Sequence, residues 1–503
     1  MFSSINPATA KEIWQGKAAG AKEIDAAVAA ARKAFPAWAA LSLEERLVCL
    51  QRFVDLVEKN ADRLAQILCQ DTGKAIWECA MEVKSPIAKL KISVDAYKDR
   101  TGTKVNGLSV VRHKPHGVIA VFGPYNFPIH TPHGHILPAL LAGNTVVFKP
   151  SELTPLISEE VMKLWQQAGL PEGVMTMVQG EVETGKLLAA HAGIDGIFFT
   201  GSSRTGKILH EQYAGHPGKI LALELGGNNP LVVHQASDID ATAYLIIQSA
   251  FITAGQRCTC ARRLILIDDE ADAVLARLVK MTSMIRIGDP ADETNFMGPV
   301  ISETQANKLL QAQRSLETKG GKVLLKMKHI GGAYISPGII DCTGLVVADE
   351  ENFGPLLKVY RVKTWDEAID KANDTDYGLS SGLISDSQEL YDDFRQRIRA
   401  GLCNWNMQIT GATSAAPFGG IGLSGNHRPS AYYAADYCSY PVASMETKEL
   451  KLPEKLSPGL ESIYEEIEST KAYDRARKND SEAISLDEML IDVDSERSGG
   501  ADE

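Results

Sequence analysis

Apolar positions along this chain follow two rhythms. Between residues 22 and 94, Leu43, Leu47, Leu50, Val54 and Val57 recur at helical spacing, which predicts helices with one buried face. From Val118 onward the pattern changes to short apolar runs. These fall at 118–122, 145–148, 174–178, 197–199 and 220–223, each followed by a helix-like stretch or a turn at Gly or Pro. Strands alternating with helices predict a doubly wound parallel sheet. A second alternation follows Gly227, with strands expected over 231–233, 263–267 and 356–359 and hence a second α/β domain.

Composition narrows the class. A chain of 503 residues is too long for one simple core, so two or three domains are expected, and 44% hydrophobic content is that of a globular protein. The N-terminus lacks a basic segment leading into an apolar run, and no stretch approaches about 18 uninterrupted apolar residues, so neither export nor membrane insertion is expected. Eight scattered cysteines form no disulfide framework and point to a reducing cytoplasm. Cys258 and Cys260 make one Cys-x-Cys pair without a second pair or a spaced His, which argues against a metal site.

The formal charge of −12 disfavours nucleic acid as a partner. Much of that charge is local. Residues 461–503 hold fourteen acidic against five basic residues, and the segment 454–503 reads as an acidic, mostly disordered tail.

The chemistry concentrates in two strings. Cys258 lies in Gly255-Gln256-Arg257-Cys258-Thr259, and Glu224 opens Glu224-Leu225-Gly226-Gly227-Asn228-Asn229-Pro230. A thiolate can form a thioester and a carboxylate can activate water to hydrolyse it, so the surroundings of Cys258 are expected to lower its pKa. Either residue alone would read as a buried filler or a turn acid. Two further strings accompany them downstream, Glu351-Asn352-Phe353-Gly354-Pro355 and Pro417-Phe418-Gly419-Gly420, and one upstream, Gly123-Pro124-Tyr125-Asn126-Phe127-Pro128. In this order the blocks resemble those of the aldehyde dehydrogenase superfamily, over residues 5 to 453.

The resemblance implies a domain plan: a cofactor-binding domain from 1–97 and 117–226, a catalytic domain over 227–431, and a small oligomerisation sheet from 98–116 and 432–447. It also implies a homodimer or higher homo-oligomer. The family usually carries a strand-like segment before Asn6-Pro7-Ala8-Thr9, so a late start is expected to weaken packing there. The implied roles are Cys258 as nucleophile, Glu224 as hydrolytic base, and Asn126 with the Cys258 backbone N–H as oxyanion donors. Relatives that transfer the acyl group to coenzyme A typically lack the Glu, so its presence favours a free acid product.

Gly201-Ser202-Ser203-Arg204-Thr205-Gly206 follows an apolar run and opens a helix, a place where backbone can approach a pyrophosphate. Alone it reads equally as a turn, and Arg204 reads as solvated. By resemblance Lys149 and Glu152 meet the adenine ribose, where a carboxylate would repel a 2′-phosphate and favour NAD, and Glu351 and Phe353 hold the nicotinamide ribose. For the substrate, Thr131 and Gly134 lie one turn apart on one helix face. Gly134 leaves room. His130, Thr410, Thr413, Ser414 and Phe418 are candidates for contact with a polar aldehyde, and Arg428 for pairing with its carboxylate. Two other readings remain open: a dehydrogenase for another dicarboxylate or amino-acid semialdehyde, and a noncatalytic binding protein on the same fold.

Overall fold

The computed structural model describes residues 1–478. Five strands form one all-parallel sheet in the order Met175–Met177, Thr145–Lys149, Val118–Phe122, Gly196–Gly201, Ile220–Leu225. The order reverses direction between Val118–Phe122 and Gly196–Gly201, the switch point at which such sheets open a crevice beyond their C-terminal ends. Strand alternation explains the two-sided core. Ile119 and Val121 face a layer containing Phe53, Leu68, Leu140 and Trp165, while Val118, Ala120 and Phe122 face Ile24, Val28 and Leu209.

The second sheet has seven strands, in the order Lys322–Leu325, Gly338–Asp341, Leu356–Val362, Ala261–Ile267, Asn229–Val233, Ser380–Ile384, Leu402–Trp405. Only the Lys322–Leu325 edge is antiparallel. Leu264 and Leu266 point to one face, and Ile265 and Ile267 to the other. A third, three-stranded sheet joins Ser439–Met445, Ser109–Pro115 and Lys104–Asn106. Its strands lie inside the two segments, 98–116 and 432–447, that the family resemblance implies for oligomer contact.

Two expectations need correction. A strand does precede Asn6: Phe2–Ile5 pairs with Glu12–Gly16, and Phe2 packs edge-on against Trp14 at 4.9 Å. In the tail, Ser462–Lys478 is an α-helix with no buried residue. Local pairing accounts for it, since Lys471 binds Glu468 at 2.9 Å and good helix formers fill the segment. The expected disorder of 479–503 falls outside the described residues. No helix among the described residues is long and apolar enough to cross a membrane.

Candidate active site

Asn126 follows the strand Val118–Phe122 and Glu224 is the penultimate residue of the strand Ile220–Leu225, so both stand at the C-terminal edge of the five-stranded sheet. Cys258 sits in the loop leading into Ala261–Ile267. The Asn126 amide Nδ2 donates to the Gln256 carbonyl at 2.9 Å, which brings the first and third of these together. An amide nitrogen carries two hydrogens, so one remains free to donate.

The loop before Cys258 is bent hard. Thr253, Ala254 and Gly255 all have left-handed φ, at 55°, 51° and 69°, a costly state for a β-branched Thr. Polar clamps hold it. Thr253 Oγ1 donates to Glu78 Oε1, Arg257 reaches the same carboxylate at 2.8 Å, and Arg262 donates to the carbonyls of Gly255 at 2.6 Å and Arg257 at 2.9 Å. Asn229 Nδ2 binds the carbonyls of Cys258 at 2.7 Å and Cys260 at 2.9 Å, and its Oδ1 accepts from Ser380 N at 3.0 Å. The N–H of Cys258 has no acceptor within the described residues.

A second clamp sits behind Asn126. Lys74 Nζ donates to the Asn126 carbonyl at 2.6 Å and forms a fully buried ion pair with Glu82, whose other oxygen accepts from Ile129 N at 2.9 Å and His130 N at 3.1 Å. Glu78 and Glu82 are four residues apart on the helix Ile76–Val83 and share one face. That face therefore supports the nucleophile loop with one carboxylate and the Asn126 loop with the other. Nothing in the periodicity of this segment singles out these residues.

Cys258 is partly accessible, yet its thiol is pushed up to about 12, first by burial and then by the charges of Glu351 and Glu224. The expected lowering is thus reversed, chiefly by burial, with the two carboxylates adding to it against Arg262. Glu224 is 4% exposed, and burial raises its carboxyl well above the usual range. Its Oε1 accepts from Ser430 N at 3.1 Å, and its Oε2 has no partner.

The strand Gly196–Gly201 runs into the helix Ser203–Tyr213, with Ser202 as N-cap accepting from Thr205 N at 3.3 Å. A Cβ on Gly206 would meet Leu225 at 2.5 Å, so the glycine allows this helix to lie close to the sheet. Arg204 is exposed. Lys149 is buried, donates to the Pro150 carbonyl at 3.0 Å and lies 3.9 Å from Glu152. Glu351 stands 3.6 Å from Arg262 with Oε1 lacking any hydrogen bond, and its other oxygen occupies the space where a Cβ on Gly226 would be, 1.8 Å away. Phe353 packs edge-on to Tyr125 at 6.0 Å. An orphaned carboxylate oxygen, a helix N-terminus and a Lys–Glu pair on one sheet edge fit a dinucleotide with a ribose and a diphosphate.

The substrate candidates divide. His130, Thr131 and Gly134 open the helix His130–Ala142 and are partly accessible, and Ser414 is bound by Lys89 at 3.2 Å. Thr410 is spent on the Gln248 carbonyl at 3.1 Å, and exposed Thr413 accepts from Ala415 N at 3.2 Å, so both brace backbone. Phe418 pairs with Ser430 in a two-stranded ribbon beside Glu224. Arg428 is exposed, and its charge is felt at His116, next to the three-stranded sheet. The buried cation near Gly134 is Lys89, which helical periodicity had concealed among apolar neighbours.

Residues 1–442 match the aldehyde dehydrogenase family model. The chain is 56% identical over 467 residues to an N-succinylglutamate 5-semialdehyde dehydrogenase from Chromobacterium violaceum, covering 91% of this chain and 96% of that one. Among crystal structures, gamma-glutamyl-gamma-aminobutyraldehyde dehydrogenase from Burkholderia cenocepacia superposes with a TM-score of 0.84 at 32% identity, over 88% of this chain and 92% of the other. Aldehyde dehydrogenase C from Pseudomonas syringae, a mutant complexed with NAD+ and octanal, gives 0.84 at 31% identity over 88% and 93%. With the family model matching residues 1–442 and a relative at 56% identity over 91% of this chain, the protein belongs to the aldehyde dehydrogenase family.

Proposed function

We propose that this chain oxidises N-succinyl-L-glutamate 5-semialdehyde to N-succinyl-L-glutamate with NAD, releasing the acid by hydrolysis of a thioester on Cys258. The observation that carries the reading is Glu224, buried beside the Cys258 thiol with one carboxyl oxygen unpartnered. A group so placed can take a proton from sulfur or from water. The 56% identity to the Chromobacterium enzyme supports the choice of substrate.

Cys258 Sγ, once deprotonated, attacks the aldehyde carbon. The resulting oxyanion receives the free hydrogen of Asn126 Nδ2 and the Cys258 N–H, both held in place before substrate arrives. The dinucleotide, when bound, supplies the hydride acceptor. Glu224 then removes a proton from water, which attacks the thioester and frees the thiol. Glu152, Lys149, the Ser203–Tyr213 helix start, Glu351 and Phe353 would hold the dinucleotide, with Glu152 favouring NAD over NADP.

On this reading residues 1–97 and 117–226 form the cofactor-binding domain and 227–431 the catalytic domain. The three-stranded sheet is assigned to a homodimer or higher assembly, supported by exposed Val105, Leu108 and Met445 along it. Eight free thiols favour a cytoplasmic location. Purified protein with NAD and a panel of succinylglutamate, succinate, glutamate and aliphatic semialdehydes tests the proposal by the absorbance of reduced dinucleotide. Equal kcat/KM for acidic and aliphatic members would overturn it.

A further inference from the structure

The helix Ser85–Thr101 buries a charge that its packing does not require. Lys89 is 6% exposed, and no carboxylate among the described residues pairs with it. Its one recorded polar partner is Ser414 Oγ, at 3.2 Å. A buried ammonium without a counter-ion is costly, and its preference for the neutral form follows: burial lowers the amine to about 8.

The same ammonium lies close against the backbone of Gly134. A Cβ on Gly134 would lie 3.3 Å from Lys89 Nζ, and Gly134 is not in the left-handed region, so the helix backbone there does not demand glycine. Glycine inside a helix is unfavourable relative to alanine. What its absence of a side chain provides is room for the Lys89 nitrogen. His130, one turn earlier on the same helix, is held well below its ordinary pKa by burial and then by Lys89, Lys74 and Arg257, so the surroundings of Lys89 are positive without help from imidazolium. Ser414 adds a hydroxyl, and Arg257 is the residue immediately before the reacting Cys258.

We propose that Lys89 is a specificity-determining residue that receives a substrate carboxylate beside Gly134, with Ser414 Oγ orienting the ammonium. The inference rests on the acidic-semialdehyde reading above and deepens it, because it supplies the missing counter-ion from the substrate itself. An aldehyde bearing a carboxylate would satisfy Lys89. A purely aliphatic aldehyde would leave the ammonium unpaired.

The test compares wild type with Lys89→Met and Lys89→Arg, using N-succinylglutamate 5-semialdehyde, succinate semialdehyde and hexanal. For the acidic aldehydes Lys89→Met should raise KM about ten- to hundredfold, the worth of a charge-assisted hydrogen bond, with a much smaller change in kcat. The preference for acidic aldehydes over hexanal should fall by a similar factor, and Lys89→Arg should restore part of it. Because Met removes an unpaired buried charge, the variant is expected to fold. As a readout independent of turnover, N-succinylglutamate should raise the melting temperature of wild type and fail to do so for Lys89→Met. An unchanged KM with equal protection of both proteins overturns the assignment. If wild type ignores succinylglutamate semialdehyde but still loses its preference for succinate semialdehyde over hexanal on Lys89→Met, the Lys89 assignment stands and the substrate proposal falls.

Discussion

Replacing Asn126 with Ala separates a role in the reaction from a role in folding. The side-chain amide has two hydrogens, and one is committed to the Gln256 carbonyl at 2.9 Å, leaving a single donor for an oxyanion. Loss of one such donor costs about 2.7–4 kcal/mol of transition-state stabilisation, or roughly a hundred- to thousandfold in kcat. The folded state loses one buried hydrogen bond worth about 1 kcal/mol, plus about 1–3 kcal/mol if the Gln256 carbonyl finds no water. Because Lys74 grips the backbone carbonyl of residue 126 and not its side chain, the loop should keep its course. Stopped-flow measurement of the first turnover reads the chemical step directly, and a melting curve reads the fold. A variant that melts within a few degrees of wild type yet loses less than tenfold in the first-turnover rate would refute the assignment.

Other expected outcomes are as concrete. Glu224→Gln should still reduce one equivalent of dinucleotide and then stall, with steady-state turnover about 10²–10⁴ lower and an acyl adduct on Cys258 visible by intact mass; unchanged turnover would remove Glu224 from hydrolysis. With its thiol at about 12, ligand-free Cys258 should be alkylated by iodoacetamide at a rate that climbs about tenfold per pH unit through pH 8–10, as peptide mapping can follow. A plateau below pH 9 would contradict this. Glu82→Gln strands the buried Lys74 ammonium, so stability should drop by about 3–5 kcal/mol in urea unfolding, whereas joint replacement of Lys74 and Glu82 by Met and Gln should recover much of it.

The parts of this molecule that were legible in its sequence are those with local signatures. Continuous apolar runs located the five strands of the first sheet to within two residues, since period and flanking turns are properties of neighbouring residues. The strands Gly338–Asp341, Ser380–Ile384 and Leu402–Trp405 escaped because they are only four or five residues long and gain strand form from pairing with Leu356–Val362, Asn229–Val233 and Ser380–Ile384 respectively. Cys258, Glu224 and Asn126 stood out as members of ordered blocks. Lys89, Asn229, Lys74 and Glu82 did not, because the worth of a buried charge or amide is set by partners up to 325 residues away. Arg428 drew attention as a cation near a familiar block, yet it is exposed; the pKa of Cys258 likewise depends on carboxylates contributed by two other segments.

Asn229 ties the nucleophile loop to two strands through three hydrogen bonds, and it is the first residue of a central strand, paired with Ala261 just before a register shift at Pro230. The location of the sulfur is thereby inherited from the pairing pattern of a seven-stranded sheet. Residues 89, 134 and 414 come from two helices and a loop with no such attachment. A lineage could therefore exchange one fuel for another by altering helix faces while the reacting atoms stay where the sheet fixes them, and directed evolution aimed at new aldehydes should find its gains on those faces.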